Sequence, residues 1–162
     1  MAETSKPVYC FDTSVLLAWF KEEKDAPLNE IESLINDVHT GKAVLLVPAT
    51  VVTEILDVNN SASEQLEEFL ERDNVVHCDI TLPVSRQARK VRERGATLPK
   101  KHQARKIKTP DAQIIAVAIV YEADALYSME PKHHSLSGSK IVDGLVIMSP
   151  RDPSGQMFLP GT

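Results

Sequence analysis

The feature that most constrains this chain is the alternation of short apolar runs with stretches of helical periodicity. Runs at residues 7–11, 43–47, 75–78, 125–128 and 145–148 have the length of strands. Between them apolar residues recur every three to four positions, as at Leu28, Ile31, Leu34, Ile35 and Val38, or at Val84, Ala88 and Val91. Helices are predicted over 14–20, 28–38, 48–58, 61–72, 84–95 and 109–121. Gly41 and Gly95 mark helix ends, Ser61-Ala62-Ser63-Glu64 has the form of a capping box, and Thr109-Pro110-Asp111 supplies an N-cap hydroxyl, a proline at N1 and a first-turn acid. The 109–121 helix is apolar nearly all round and is predicted to be central, whereas 96–108 and the stretch with His133 and His134 read as polar loops. Parallel strands need crossovers and become buried on both faces. The pattern therefore predicts an α/β/α sandwich around a central, mainly parallel sheet of about five strands.

At 162 residues the chain fits one domain over 1–162, with a core at about 7–148 and a Pro/Gly-rich tail at 149–162. Its 43% apolar and 25% charged residues are the balance of a globular protein. The longest strongly apolar stretch, 114–121, falls far short of the ~20 residues that cross a bilayer. The first residues lack the basic start and apolar core of a secretory signal, so the expected location is the cytoplasm and no membrane contact is expected. Cys10 and Cys78, the two cysteines, sit in strand-like segments and are expected to be buried and reduced.

The net charge of -5 hides a strong asymmetry. Between Arg86 and Lys108 stand ten Lys and Arg against one acid, Glu93, a local charge of +9; the rest has eight against 22, or -14. Such a band suits phosphate contacts, and equally suits a solvated helix face followed by a polar loop.

The acids carry the chemistry. Asp12 and Glu130 each follow a strand, on the edge where open α/β sheets bind ligands, and Asp111 opens a helix whose N-terminus is able to face the same edge. Glu54 lies within the apolar stripe of Val51, Ile55 and Val58 and is expected to point inward. Each has a plain alternative: helix cap for Asp12, dipole complement for Asp111, stripe margin for Glu54, solvated loop for Glu130. Taken together, crowded carboxylates repel unless they are protonated or neutralised by a hard cation, and Mg²⁺ and Mn²⁺ prefer oxygen ligands.

Three segments carry a resemblance: Phe11-Asp12-Thr13-Ser14-Val15-Leu16, Pro48-Ala49-Thr50-Val51-Val52-Thr53-Glu54-Ile55, and Pro110-Asp111-Ala112-Gln113-Ile114-Ile115-Ala116. In this order, over residues 8–148, the chain resembles the PIN domains, and within them the VapC-type toxins of toxin-antitoxin pairs. The resemblance implies a metal-dependent ribonuclease that uses Mg²⁺ or Mn²⁺ and leaves a 5′-phosphate and a 3′-hydroxyl. It gives Asp12, Glu54 and Asp111 the three principal acidic positions and Glu130 a fourth, where the family usually has Asp. Thr13 and Ser14 are the supporting hydroxyls. Lys100, Lys101, Arg105, Lys106 and Lys108, the part of the basic band nearest Asp111, are assigned to RNA. The implied partners are an RNA substrate, a small antitoxin that covers the acidic pocket and a second copy in a homodimer. The alternative is a PIN-like module that binds RNA or protein without cutting. A haloacid-dehalogenase phosphatase is excluded because Ser14 stands where that chemistry needs a second Asp. A receiver domain fits poorly, because the acids are dispersed. His133 and His134 are expected as a solvated surface pair, and Trp19 as packing for the first helix.

Overall fold

The computed structural model describes residues 5–57, 60–98 and 106–151. Among these, five parallel strands form one sheet: β1 (Val8–Phe11), β2 (Val44–Pro48), β3 (Val75–Cys78), β4 (Ala125–Tyr127) and β5 (Ile147–Met148), in the order β3-β2-β1-β4-β5. The helices are α1 (Thr13–Phe20), α2 (Leu28–His39), α3 (Ala49–Leu56), α4 (Asn60–Leu70), α5 (Leu82–Ala96), α6 (Thr109–Val120) and α7 (Pro131–His134). The predicted α/β architecture is the one observed.

The core forms where the sequence is apolar on both faces of the sheet. Cys10, Phe11, Leu45 and Val47 are fully enclosed, and the Tyr127 ring meets Tyr9 and Phe11 edge-on at centroid distances of 5.5 and 5.8 Å. Cys10 and Cys78 are free, buried thiols, as expected. Helix α6 is central, with Ala112 and residues 114–118 buried, so it loses water on nearly every side. Trp19 packs against Phe20 and Phe69, and its ring N–H donates to Glu32 Oε2 at 2.8 Å, which bears out a packing role.

Several boundaries differ from the sequence reading, each for a local reason. Pro48 ends β2 and precedes α3, so it does not begin the helix. Helix α4 starts at Asn60, which puts Ser61 inside it and not at a capping-box N-cap. Lys108 is the N-cap of α6, so Thr109 lies within the helix; the Lys108 carbonyl accepts from Ala112 N at 2.9 Å. Thr81 extends α5 forward by accepting from Val84 N. β5 is shorter than predicted, because Asp143 and Gly144 adopt φ of 51° and 80° and hold Leu145 in a turn. Val58 and residues 152–162 of the expected tail lie outside the described residues.

Order of β1 in the centre of the sheet decides where a ligand would go. The chain winds from β1 outward through β2 to β3, then returns to the other side of β1 for β4 and β5. Between β1 and β4 the winding reverses, and the crevice beyond their C-terminal ends is where such folds bind ligands. The segment leading to α6 is anchored by Ile107, which is buried against Gly95 of α5: a Cβ at Gly95 would stand 3.1 Å from Ile107 Cδ1. Removing that anchor leaves a cavity. Ile107→Ala is expected to lower the unfolding free energy by about 2–5 kcal/mol in urea titrations; an unchanged midpoint would show that the segment is not held there.

Candidate metal centre

Asp12 is the first residue beyond β1. Its N–H still donates to Tyr127 O at 3.1 Å, so the sheet fixes its position. Its side chain turns back as the N-cap of α1: Oδ1 accepts from Val15 N at 3.2 Å and from the Ser14 hydroxyl at 2.5 Å. Ser14 Oγ in turn accepts from Met129 N at 3.0 Å, which ties the ends of β1 and β4 together. Capping and site geometry thus coincide in Asp12, which is 5% exposed.

Glu54, on α3, is half-buried, and its Oε1 accepts from the Thr13 hydroxyl at 2.7 Å. Asp111 occupies the first turn of α6, whose N-terminal region is linked to α3 by Thr50 Oγ1 donating to Gln113 Oε1 at 2.6 Å. Glu130 follows β4, its N–H donating to Ser128 Oγ at 3.1 Å. Asp12, Glu54, Asp111 and Glu130 line one cleft of about 240 Å³, together with Thr13, Ser14, Leu17 and Ile114. Acids from four separate stretches of chain therefore converge, and the two hydroxyls of the Asp-Thr-Ser segment hold two of them, Thr13 holding Glu54 and Ser14 holding Asp12.

The histidines correct the sequence reading. Pro131 opens a one-turn helix, α7, instead of an extended loop, and this turns His133 inward until 6% of it remains exposed. His133 Nε2 lies 3.4 Å from Asp111 Oδ2; Nδ1 lies 3.4 Å from Glu130 Oε2, 3.8 Å from Asp12 Oδ2 and 3.2 Å from Ser128 Oγ. His134 points elsewhere, to Ser128 O at 2.6 Å. Lys132 is a second residue the sequence did not single out: its Nζ is 3.7 Å from Asp111 Oδ2 and 3.4 Å from Glu130 Oε2. Only the i,i+3 spacing of Glu130 and His133 hinted at one of these contacts, and nothing hinted at Lys132.

Among the described residues, no member of the basic band lines this cleft. Lys106 and Lys108 are exposed outside its lining, and Lys100, Lys101 and Arg105 lie outside the described residues. On α5, Arg86, Lys90 and Arg92 are exposed, while Arg89 pairs with Glu93 at 2.8 Å and Arg94 with Asp143 at 2.6 Å.

Electrostatics inside the cleft are strongly coupled. Burial opposes charge on both Asp111 and His133, but each stabilises the other. The neighbouring His133 imidazole, helped by Lys132, holds the Asp111 carboxyl below its usual value. The facing carboxylates of Asp111 and Asp12, then that of Glu130, push the His133 imidazolium up to about 9. The donor set suits a divalent ion: Glu130 Oε2 is shut off from solvent without a hydrogen bond, and Asp111, Glu130 and His133 each bring one ligand atom within 4.8 Å of the others.

The family follows from this frame and from the sequence that builds it. The profile of the PIN domain matches residues 9–137. The chain belongs to the PIN-domain family. No curated protein sequence matches it. Among solved structures, this PIN domain is similar to VapBC2 from Rickettsia felis bound to a promoter DNA fragment, at 16% identity and TM-score 0.60 over 88% of this chain and 98% of that one. A toxin-antitoxin complex from Klebsiella pneumoniae is similar at 16% and 0.59, over 88% and 97%. VapC20 from Mycobacterium tuberculosis, described as a sarcin-ricin loop cleaving toxin, is similar at 18% and 0.56, over 76% and 90%. At these identities the likeness is one of fold.

In the metal-free protein the pairing has a pH signature. Because the folded pKa of His133, about 9, lies above its ordinary 6.5, the stability it contributes is complete below pH 6.5 and is lost as pH rises through 9. In EDTA the melting temperature is expected to fall across that window more steeply than in His133→Gln; parallel curves would refute the pairing.

Proposed function

We propose that this PIN domain is a divalent-metal-dependent ribonuclease that hydrolyses RNA phosphodiester bonds, as the toxin of a type II toxin-antitoxin pair. The observation that carries the reading is the convergence of Asp12, Glu54, Asp111 and Glu130 on one cleft. Family membership supports the chemistry, and the similar toxin-antitoxin complexes support an antitoxin partner and a toxin's role.

In this reading the four carboxylates hold Mg²⁺ or Mn²⁺. A bound divalent ion supplies a water of lowered pKa and neutralises charge that develops on phosphate. The chain's own residues do the placing. Asp12 is held by Ser14 and the α1 N-terminus, which leaves Oδ2 for the cleft, and Glu54 is held through Oε1 by Thr13. Water attacks phosphorus, the 3′ oxygen leaves as a hydroxyl, and a 5′-phosphate remains. Lys132, 39% exposed beside the acids, is the described cation best placed to meet the substrate backbone, with Lys106 and Lys108 flanking the start of α6. Lys100, Lys101 and Arg105 extend the proposed RNA contact in sequence. A second copy of the chain and a cytoplasmic setting complete the proposal; among the described residues no helix is long and apolar enough to cross a membrane.

One observation favours the non-cutting alternative: Lys132 and His133 already place cationic groups beside Asp111 and Glu130. Cleavage separates the two readings. Wild type, Asp12→Asn and Asp111→Asn, purified identically, are compared on tRNA, rRNA and mRNA with Mn²⁺ or with chelator. Wild type is expected to cut with Mn²⁺ alone, and each variant to lose roughly a hundredfold or more. Equal cleavage by wild type and variants would assign the activity elsewhere, and no cleavage by wild type on any substrate would favour the binding module.

A further inference from the structure

The four carboxylates leave His133 without a task, although its side chain is far more enclosed than that of Lys132 beside it. Its contacts, like those of Lys132 with the same carboxylates at 3.7 and 3.4 Å, are longer than close ion pairs. Charge-assisted N–H···O⁻ bonds close to about 2.7–2.9 Å, and on α5 the Arg94–Asp143 and Arg89–Glu93 pairs do so at 2.6 and 2.8 Å. Around His133 the contacts with Asp111, Glu130 and Asp12 stand off at 3.4, 3.4 and 3.8 Å. Two ligands bound to one ion at about 2.1 Å, at angles of 90–110°, are themselves about 3.0–3.4 Å apart. The separation of His133 Nε2 from Asp111 Oδ2 matches that spacing.

Two further observations agree. Metal-binding histidines use one ring nitrogen for the ion and anchor the other on a neighbouring oxygen; here Nδ1 has Ser128 Oγ at 3.2 Å, Glu130 Oε2 at 3.4 Å and Asp12 Oδ2 at 3.8 Å, while Nε2 faces Asp111. Glu130 is the third residue with a ligand atom within 4.8 Å of the others, and its Oε2 is enclosed without a hydrogen bond. Lys132, the cation competing for the same oxygens, is 39% exposed and has solvent to swing into.

We infer that His133 is a nitrogen ligand of the divalent ion, grouped with Asp111 and Glu130, and that it biases the site toward Mn²⁺ over Mg²⁺. Mg²⁺ is a hard ion that favours an all-oxygen shell, whereas imidazole donors suit transition metals. The inference rests on the metal-nuclease reading for its consequence in catalysis, but metal binding is read directly, without turnover.

The test is Mn²⁺ titration of the full chain followed by electron paramagnetic resonance, with pulsed detection of nitrogen-14 coupled to the ion. Wild type is expected to bind Mn²⁺ with an imidazole-type nitrogen coupling, more tightly than it binds Mg²⁺ in competition. His133→Gln should lose the coupling and weaken Mn²⁺ binding about tenfold or more, with a smaller change for Mg²⁺. His134→Gln should keep the coupling. Should His133→Gln fail to fold, the wild-type spectrum still decides. Bound Mn²⁺ without a coordinated nitrogen overturns the inference and leaves the metal-dependent reading intact. Coupling that persists in His133→Gln and vanishes in His134→Gln also overturns it. No Mn²⁺ binding by wild type removes both readings.

Discussion

Parallel pairing of β1 with β4 is the constraint from which the site follows. Phe11 sits opposite Tyr127, the Asp12 N–H continues the ladder to the Tyr127 carbonyl, and the two strands therefore deliver Asp12 and Glu130 to the same edge. Because all five strands run one way, α1, α3 and α7 all leave from that edge, and α3 brings Glu54 to it. Helix α6, buried almost all round, has no freedom to place Asp111 elsewhere. Apolar burial thus forces acidic groups together that would otherwise repel.

The protein meets that repulsion in part with its own groups. Thr13 and Ser14 donate to Glu54 and Asp12, the α1 N-terminus adds a backbone N–H, and Lys132 and His133 bring cationic nitrogen to Asp111 and Glu130. These devices divide the cleft. On the Asp12–Glu54 side one oxygen of each acid is committed to a protein donor at 3.2 Å or less, whereas on the Asp111–Glu130 side the nearest nitrogens remain at 3.4 Å or more. The second side is the less saturated of the two.

Much of this was legible in the sequence where one residue's surroundings are set by its neighbours along the chain. The strands were visible as apolar runs, and the stripe Ile31, Leu34, Ile35 and Val38 is the face α2 buries. The convergence of Asp12, Glu54, Asp111 and Glu130 was anticipated from strand ends and helix starts together with the PIN resemblance. His133 was misjudged because a four-residue helix gives no periodic signal, and a histidine beside polar residues looks solvated until Pro131 sets its direction. Ser61 and Thr109 fall inside their helices and not at the caps: α4 already begins at Asn60, and the backbone carbonyl of Lys108 takes the cap position of α6.

By itself, then, the sequence determined the order and type of the elements, the apolar faces they bury and the acids that stand at their ends, since these depend on periodicity and on local backbone chemistry. Only the tertiary structure decided which oxygens of those acids are already bound, that Lys132 and His133 enter the cleft, and that the α5 part of the basic band lies on an outer helix face. Those outcomes depend on contacts across more than a hundred residues, such as Ser14 with Met129, or on the aim of a single helical turn. No pattern along the chain encodes a distance of that kind.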